Sequence, residues 1–266
     1  MLKYSAHIGF LWAEIDDFYE RFAAAMKAGF QGVEFSSPEK FDETRITERL
    51  QSLDCELAVF NAPMGNIAAG EIGYLCVPGK EAEFERSVRE SIARAQRLGA
   101  RQFMTAAGVV GKDMPRAKAE QLAIDNLRRV LPLLEKSNKR LLIEPVSQQI
   151  VPNFLAGSTA DGAALVEAIG SPHVRLELDL YHAGLMQEDI VAVWEKFGHL
   201  VTHIQIADVP GRHEPGTGTL PVVPFLAAVA RSNYAHHVGL EYHPQGSTAD
   251  SLKWIPEAFR PRGMAR

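Results

Sequence analysis

Short apolar runs alternate along the chain with longer segments in which apolar residues recur every three or four positions. The runs are YSAHIGFLW (4–12), GVEFSS (32–37), CELAVFNAP (55–63), RQFMTAAG (101–108), RLLIEPV (140–146), VRLELDLYH (174–182), LVTHIQIAD (200–208) and HVGLEYHP (237–244). Each reads as a β-strand. Between them, DFYERFAAAMKAGF (17–30), EAEFERSVRESIARAQRLGA (81–100) and AKAEQLAIDNLRRVLPLLEKSNK (117–139) carry the helical period. Gly29, Gly99 and Gly170 stand where helix C-caps are expected. Strand followed by helix, eight times in 266 residues, predicts an α/β fold of the single (β/α)8 TIM barrel type over residues 1–259. The basic stretch 260–266 lacks any period and reads as a loose C-terminal tail.

The late strands show which of their faces is polar. Strand side chains alternate, so in VRLELDLYH Leu176, Leu178 and Leu180 share one face and Arg175, Glu177 and Asp179 the other. If the leucines meet the helices, Asp179 points into the barrel near the strand's C-terminal end. The same reading places Glu144 at the end of RLLIE, Gln205 at the end of THIQ and Glu241 at the end of VGLE. The steps from 144 to 179, 205 and 241 each approximate one repeat, so four oxygen-bearing side chains should converge at the C-terminal rim, where barrel active sites are built. Three carboxylates crowded together repel unless a cation lies among them. A set of oxygen ligands favours Mg²⁺ or Mn²⁺ over zinc. Each residue also has a structural reading. Arg175 and Glu177 fit an ion-pair layer inside the barrel, and His182, His203 and His243 fit packing roles. Of the three, His182, just past Asp179, is the best placed for a substrate contact.

Charge and cysteine content narrow the partners. Lys and Arg number 28 against 33 Asp and Glu, a net charge of −5, which argues against a nucleic-acid ligand. Cys55 and Cys76 follow no metal or redox spacing, and no run of 18 apolar residues or signal-like N-terminus occurs. A cytoplasmic protein with a small-molecule substrate, no membrane partner and a possible homo-oligomeric state is the expectation. The segment MGNIAAGEIGYLCVPG (64–79) is long for a barrel loop and reads equally as a lid or as a packed Ω-loop.

The stretches FNAPMGN, AAGEIGYLCVPGKEAEFERSV, LLIEPV, LELDLYH, HIQIADVPGRHEPGTG and GLEYHP resemble the hydroxypyruvate isomerase family, within the xylose-isomerase-like TIM barrels. The likeness runs from Tyr4 to about Trp254. It implies a divalent metal, Mg²⁺ or Mn²⁺, on Glu144, Asp179, Gln205 and Glu241, with Glu144 and Glu241 also catalytic in proton transfer, and with His182 and Arg212 on the substrate. Glu214 and Asn61, in the same stretches, complete the expected substrate contacts. The family tends to carry Arg at two positions occupied here by Ile72 and Gln149, so two cationic grips on a substrate carboxylate are missing. The expected activity is a metal-dependent isomerisation of small hydroxy-oxo acids by enediolate proton transfer, of the hydroxypyruvate to tartronate semialdehyde kind. The alternatives are a 2-oxo-tetronate isomerase, a ketose 3-epimerase and, from another class, a non-catalytic sugar-acid binding protein.

Overall fold

The computed structural model describes residues 2–261. Every predicted run coincides with a strand shorter than the run itself, the first beginning one residue earlier than the run: β1 Lys3–His7, β2 Gly32–Phe35, β3 Glu56–Phe60, β4 Gln102–Thr105, β5 Arg140–Ile143, β6 Val174–Asp179, β7 Val201–Ile206 and β8 His237–Leu240. They pair in parallel in the order β3-β2-β1-β8-β7-β6-β5-β4. The two ends of that order meet at one bridge between Asn61 and Met104, beside which the Ala62 N–H donates to the Met104 carbonyl at 2.7 Å. The result is a nearly closed (β/α)8 barrel.

The described helices are α1 Glu20–Lys27, α2 Glu43–Ser52, α3 Glu81–Arg97, α4 Arg116–Ser137, α5 Thr159–Ile169, α6 Leu180–Leu185, α7 Ile190–Phe197, α8 Val222–Arg231 and α9 Thr248–Ser251. The three segments read from period appear as α1, α3 and α4. Gly29, Gly99 and Gly170 take left-handed backbone just past their helices, at φ of 93°, 72° and 64°, conformations a side chain would strain. Among the described residues no helix is long and apolar enough to cross a membrane.

Strand alternation divides the core into two layers. Leu176 and Leu178 of β6, Ile204 and Ile206 of β7 and Val238 and Leu240 of β8 join the main core with the helices. Inside the barrel, Val59, Met104 and Leu142 form a separate apolar cluster on the β3, β4 and β5 side. The opposite side is polar, with Ser5, Glu34, Glu177, His203 and Gln205 all buried. The expected ion-pair layer of Arg175 and Glu177 is not there. Two residues apart on one strand face stand about 7 Å apart, and the long Arg175 side chain turns back to the N-terminal mouth, donating to the His199 carbonyl. Glu177 stays buried, with one carboxyl oxygen lacking a hydrogen-bond partner. The interior pair is instead His203 with Glu34, at 2.9 Å.

Residues 64–79 form a packed loop with an exposed tip. Leu75 and Cys76 are fully buried, the Asn126 amide of α4 donates to the Leu75 carbonyl at 2.9 Å, and a Cβ on Gly73 would stand 2.2 Å from the Ala106 carbonyl oxygen. Ile67, at the tip, is 56 % exposed. In the segment read as a loose tail, Arg260 donates to the Ile255 carbonyl at 2.9 Å, and residues 262–266 lie outside the described residues.

Candidate active site at the C-terminal mouth

Strand register brings the four expected ligands to one end of the barrel. Asp179 pairs with Gln205 across β6 and β7, and Gln205 pairs with Gly239 of β8. Glu241 follows one step beyond, its N–H donating to the Ile206 carbonyl at 3.0 Å, and Glu144 follows Ile143, which pairs with Leu176. All four side chains are buried. Glu144, Asp179 and His182 each offer one donor atom within 4.8 Å of the others, a buried group able to hold a cation. His182 Nε2 lies 3.8 Å from Glu144 Oε1 and 3.6 Å from Asp179 Oδ2. Arg212 joins the cluster from the loop after β7, donating through Nη2 to Glu241 at 2.8 Å and to Asp179 at 3.3 Å.

Too much negative charge meets too little water here. Burial, reinforced by Asp179, pushes the Glu144 carboxyl up to about 8. Burial raises Glu241 well above the usual range as well, against the pull of Arg212. Burial works against the Arg212 charge too, but Glu241, Asp179 and Glu144 more than offset it and hold the guanidinium protonated. Burial lowers His182, so its ring is neutral at pH 7. Such a site can hold protons on its carboxyls or accept a cation among them. Gln205 fits the second use. Its Nε2 donates to Glu34 Oε1 at 3.0 Å, while its carbonyl oxygen is buried and has no hydrogen-bond partner, an orphaned acceptor of the kind a hard cation satisfies.

The remaining expected residues divide. Asn61 follows β3 and reaches the cluster through a chain of contacts: its Nδ2 donates to Ser36 Oγ at 3.4 Å, Ser36 Oγ meets His7 Nε2 at 3.4 Å, and the same His7 nitrogen lies 3.5 Å from Glu241 Oε1. Glu214 stands apart, accepting the Gln245 backbone N–H at 3.1 Å and tying the loop after β7 to the segment after β8. Sequence reasoning passed over His7, Ser36, Phe10 and Tyr181. Phe10 and Tyr181 flank the Arg212 guanidinium, their ring centres 5.3 Å and 5.0 Å from its carbon, within cation–π range. His7, a polar side chain at the C-terminal end of the first strand, was the available signal.

The loop carrying Arg212 is organised by Asp208. One carboxylate oxygen accepts the N–H groups of Val209 and Leu220, at 2.9 and 3.0 Å, and the other those of Gly216 and Gly218, at 2.8 and 3.0 Å. A Cβ on Gly218 would stand 1.9 Å from the Val209 carbonyl oxygen, so only glycine allows the loop to close this tightly. The motif ADVPGRHEPGTG is thus a loop wound on one carboxylate, which presents Arg212 to the carboxylate cluster.

Comparison with known proteins agrees with the barrel fold. The family profile described as Xylose isomerase-like TIM barrel matches residues 22–258. The chain is 34% identical to the hydroxypyruvate isomerase of Escherichia coli (strain K12), covering 96% of this chain and 98% of that one. It is 31% identical to the 2-oxo-tetronate isomerase of Pectobacterium atrosepticum, covering 96% and 97% respectively. A crystal structure from Brucella melitensis, named AP endonuclease, family 2, superposes with a TM-score of 0.90 at 33% identity, covering 96% of this chain and 98% of that one.

Proposed function

The chain belongs to the xylose isomerase-like TIM barrel family, alongside the hydroxypyruvate isomerases, and from that premise we propose that it interconverts a small hydroxy-oxo acid and its carbonyl isomer by proton transfer between two glutamates. It is an isomerase of the aldose–ketose type. The observation that carries the mechanism is the pair Glu144 and Glu241, one step past β5 and β8, two buried carboxyls at the same mouth of the barrel with β6 and β7 between their strands. One can take a proton from carbon while the other returns one to the neighbouring carbon.

Glu144, Asp179, Gln205 and Glu241 would hold the divalent cation, of the Mg²⁺ or Mn²⁺ kind, and bound there it would supply positive charge to an oxyanion developing on the substrate. The chain's own side chains do the rest. One glutamate removes the proton from the hydroxyl-bearing carbon, leaving an enediolate. The other delivers a proton to the neighbouring carbon, and the hydroxyl proton passes between the two oxygens, so that atoms balance. His182 acts as a donor to substrate oxygen rather than as a ligand. Its Nδ1 accepts the Ser147 N–H at 3.3 Å, which leaves the proton of the neutral ring on Nε2, facing the cluster. Arg212, between the rings of Phe10 and Tyr181, holds the polar end of the substrate.

Hydroxypyruvate is the first substrate to try. A specific observation favours a second reading: the positions where the family tends to carry Arg hold Ile72, packed against the core, and Gln149, whose amide donates to the Leu185 carbonyl. Neither can grip a carboxylate, so 2-oxo-tetronate and neutral ketoses belong in the same panel. The name of the Brucella protein brings no endonuclease reading here, because the buried donors are mainly carboxylates and the net charge is −5. Turnover in D₂O tests the mechanism. Solvent deuterium should appear on the carbon that gains hydrogen, and Glu241→Gln should lower kcat by about 10²–10⁴. Wild-type turnover in Glu241→Gln rejects the two-glutamate route, and full activity after rigorous chelation rejects the cation.

A further inference from the structure

Gln205 is an unusual oxygen donor because its amide can be turned either way, presenting NH₂ or carbonyl to the site. Something must fix the choice. Glu34 stands three strands away, on β2, yet its carboxylate meets the amide inside the barrel: Oε1 accepts the Gln205 Nε2–H at 3.0 Å. An ionised carboxylate only accepts hydrogen bonds, so the NH₂ end must face it and the carbonyl oxygen must face away. That oxygen is the one left without a hydrogen-bond partner.

The surroundings of Glu34 are built to hold it in this pose. Ser5 Oγ donates to its Oε2 at 2.5 Å, and His203 Nε2 lies 2.9 Å from the same oxygen, close enough for an ion pair though out of line for a hydrogen bond. Ser5, Gly239, Gln205 and Asp179 occupy one level across β1, β8, β7 and β6. The glycine in that row makes the space. A Cβ on Gly239 would stand 2.4 Å from Glu34 Oε2 and 2.5 Å from Oε1, so any other residue would evict the carboxylate. Glu34 itself is fully buried.

We propose that Glu34, seated over Gly239 and anchored by Ser5 and His203, is a positioning residue that turns the Gln205 carbonyl oxygen into the site and thereby sets the site's affinity for a divalent cation. The inference rests on the metal reading of Glu144, Asp179, Gln205 and Glu241. Its test is Mn²⁺ binding to metal-stripped full-length protein, by calorimetry, with circular dichroism and melting as checks on the fold. Glu34→Met keeps length and removes the acceptor, and should weaken Mn²⁺ binding by about 10–100-fold, as loss of an orienting partner does. In a Gln205→Ala background the same change should add nothing, because there is no amide left to orient. Gly239→Ala, which displaces the carboxylate by contact alone, should reproduce the loss and serves if Glu34→Met does not fold. Wild-type affinity in a folded Glu34→Met or Gly239→Ala protein overturns the proposal, as does an equal loss with and without Gln205. If the wild-type protein takes up no Mn²⁺, the metal reading falls and this inference with it, an outcome distinct from the other two.

Discussion

Arg212 does at residue scale what a metal ion would do: it sets positive charge against Asp179 and Glu241. Its removal leaves two buried carboxylates without that partner. Arg212→Ala should therefore destabilise the metal-free protein by about 1.5–3 kcal/mol, the range for a hydrogen bond to a charged group. Saturating Mn²⁺ should return most of that loss by meeting the same carboxylates, while KM for substrate stays raised. Urea unfolding with and without Mn²⁺ checks both statements. A variant equally unstable in both conditions would make Arg212 a support of the loop rather than a counter-charge. Much of this was legible in the sequence at the same scale. Period-two alternation put Glu144, Asp179, Gln205 and Glu241 on the inner face, because each falls at a strand's end on the side opposite the apolar residues that meet the helices. The pairing of Glu34 with Gln205 was not legible. The two lie 171 positions apart, and a single Glu in GVEFSS gives no hint of which strand it will meet.

Among the elements, the loop from Ala207 to Pro221 is the one that carries Arg212 to the carboxylate cluster. Its shape comes from a single carboxylate that collects four backbone N–H groups, so Asp208→Ala would leave these donors without their acceptor. The expected outcome is a loss of at least tenfold in kcat/KM with the barrel intact, because Arg212 is no longer held at the cluster. Near-normal kcat/KM would show that the loop keeps its shape without Asp208. Circular dichroism should stay native, and limited proteolysis should cut within 207–221 before any other site. The glycines and prolines of ADVPGRHEPGTG marked a loop clearly enough from sequence. They did not mark Asp208 as its centre, since an Asp before Val-Pro looks like any other strand-ending carboxylate. Strand and helix existence was readable from period, whereas strand ends were set by register with neighbours far along the chain.

Taken as a whole, the molecule buries His7 and His237 and half-buries His236, where an imidazole does not easily accept a proton. Burial lowers His7, His236 and His237 to about 4 each, while in the unfolded chain they titrate near about 6.5. At these three sites the unfolded state therefore binds more protons between these values, a contribution to stability that is fully present above about pH 6.5 and is lost as the pH falls toward 4. Glu144, Glu177 and Glu241 act in the opposite sense in the metal-free protein, because burial raises their carboxyls and the fold holds protons that the unfolded chain releases above about pH 4.3. The histidine share is read by substitution: the change in urea midpoint from pH 7 to 4.5 should be less destabilising in His237→Gln than in the unsubstituted protein. An unchanged pH dependence would mean that this imidazole takes up protons as readily in the fold as out of it. Below the ordinary carboxylate range the loss should steepen. Burial raises the Glu34 carboxyl, but His203, His7 and Ser5 outweigh that effect and hold it at about 2. The seam between β3 and β4 has a different consequence. A single bridge joins them where the other strands share full ladders, and the contacts across the gap include Val59 and Met104 of the apolar cluster. The barrel is thus a hoop with a clasp, and local opening costs least at the clasp. Amide hydrogens of β3 and β4 should exchange with solvent before those of β6, β7 and β8, so the molecule breathes on the side away from Asp179, Gln205 and Glu241.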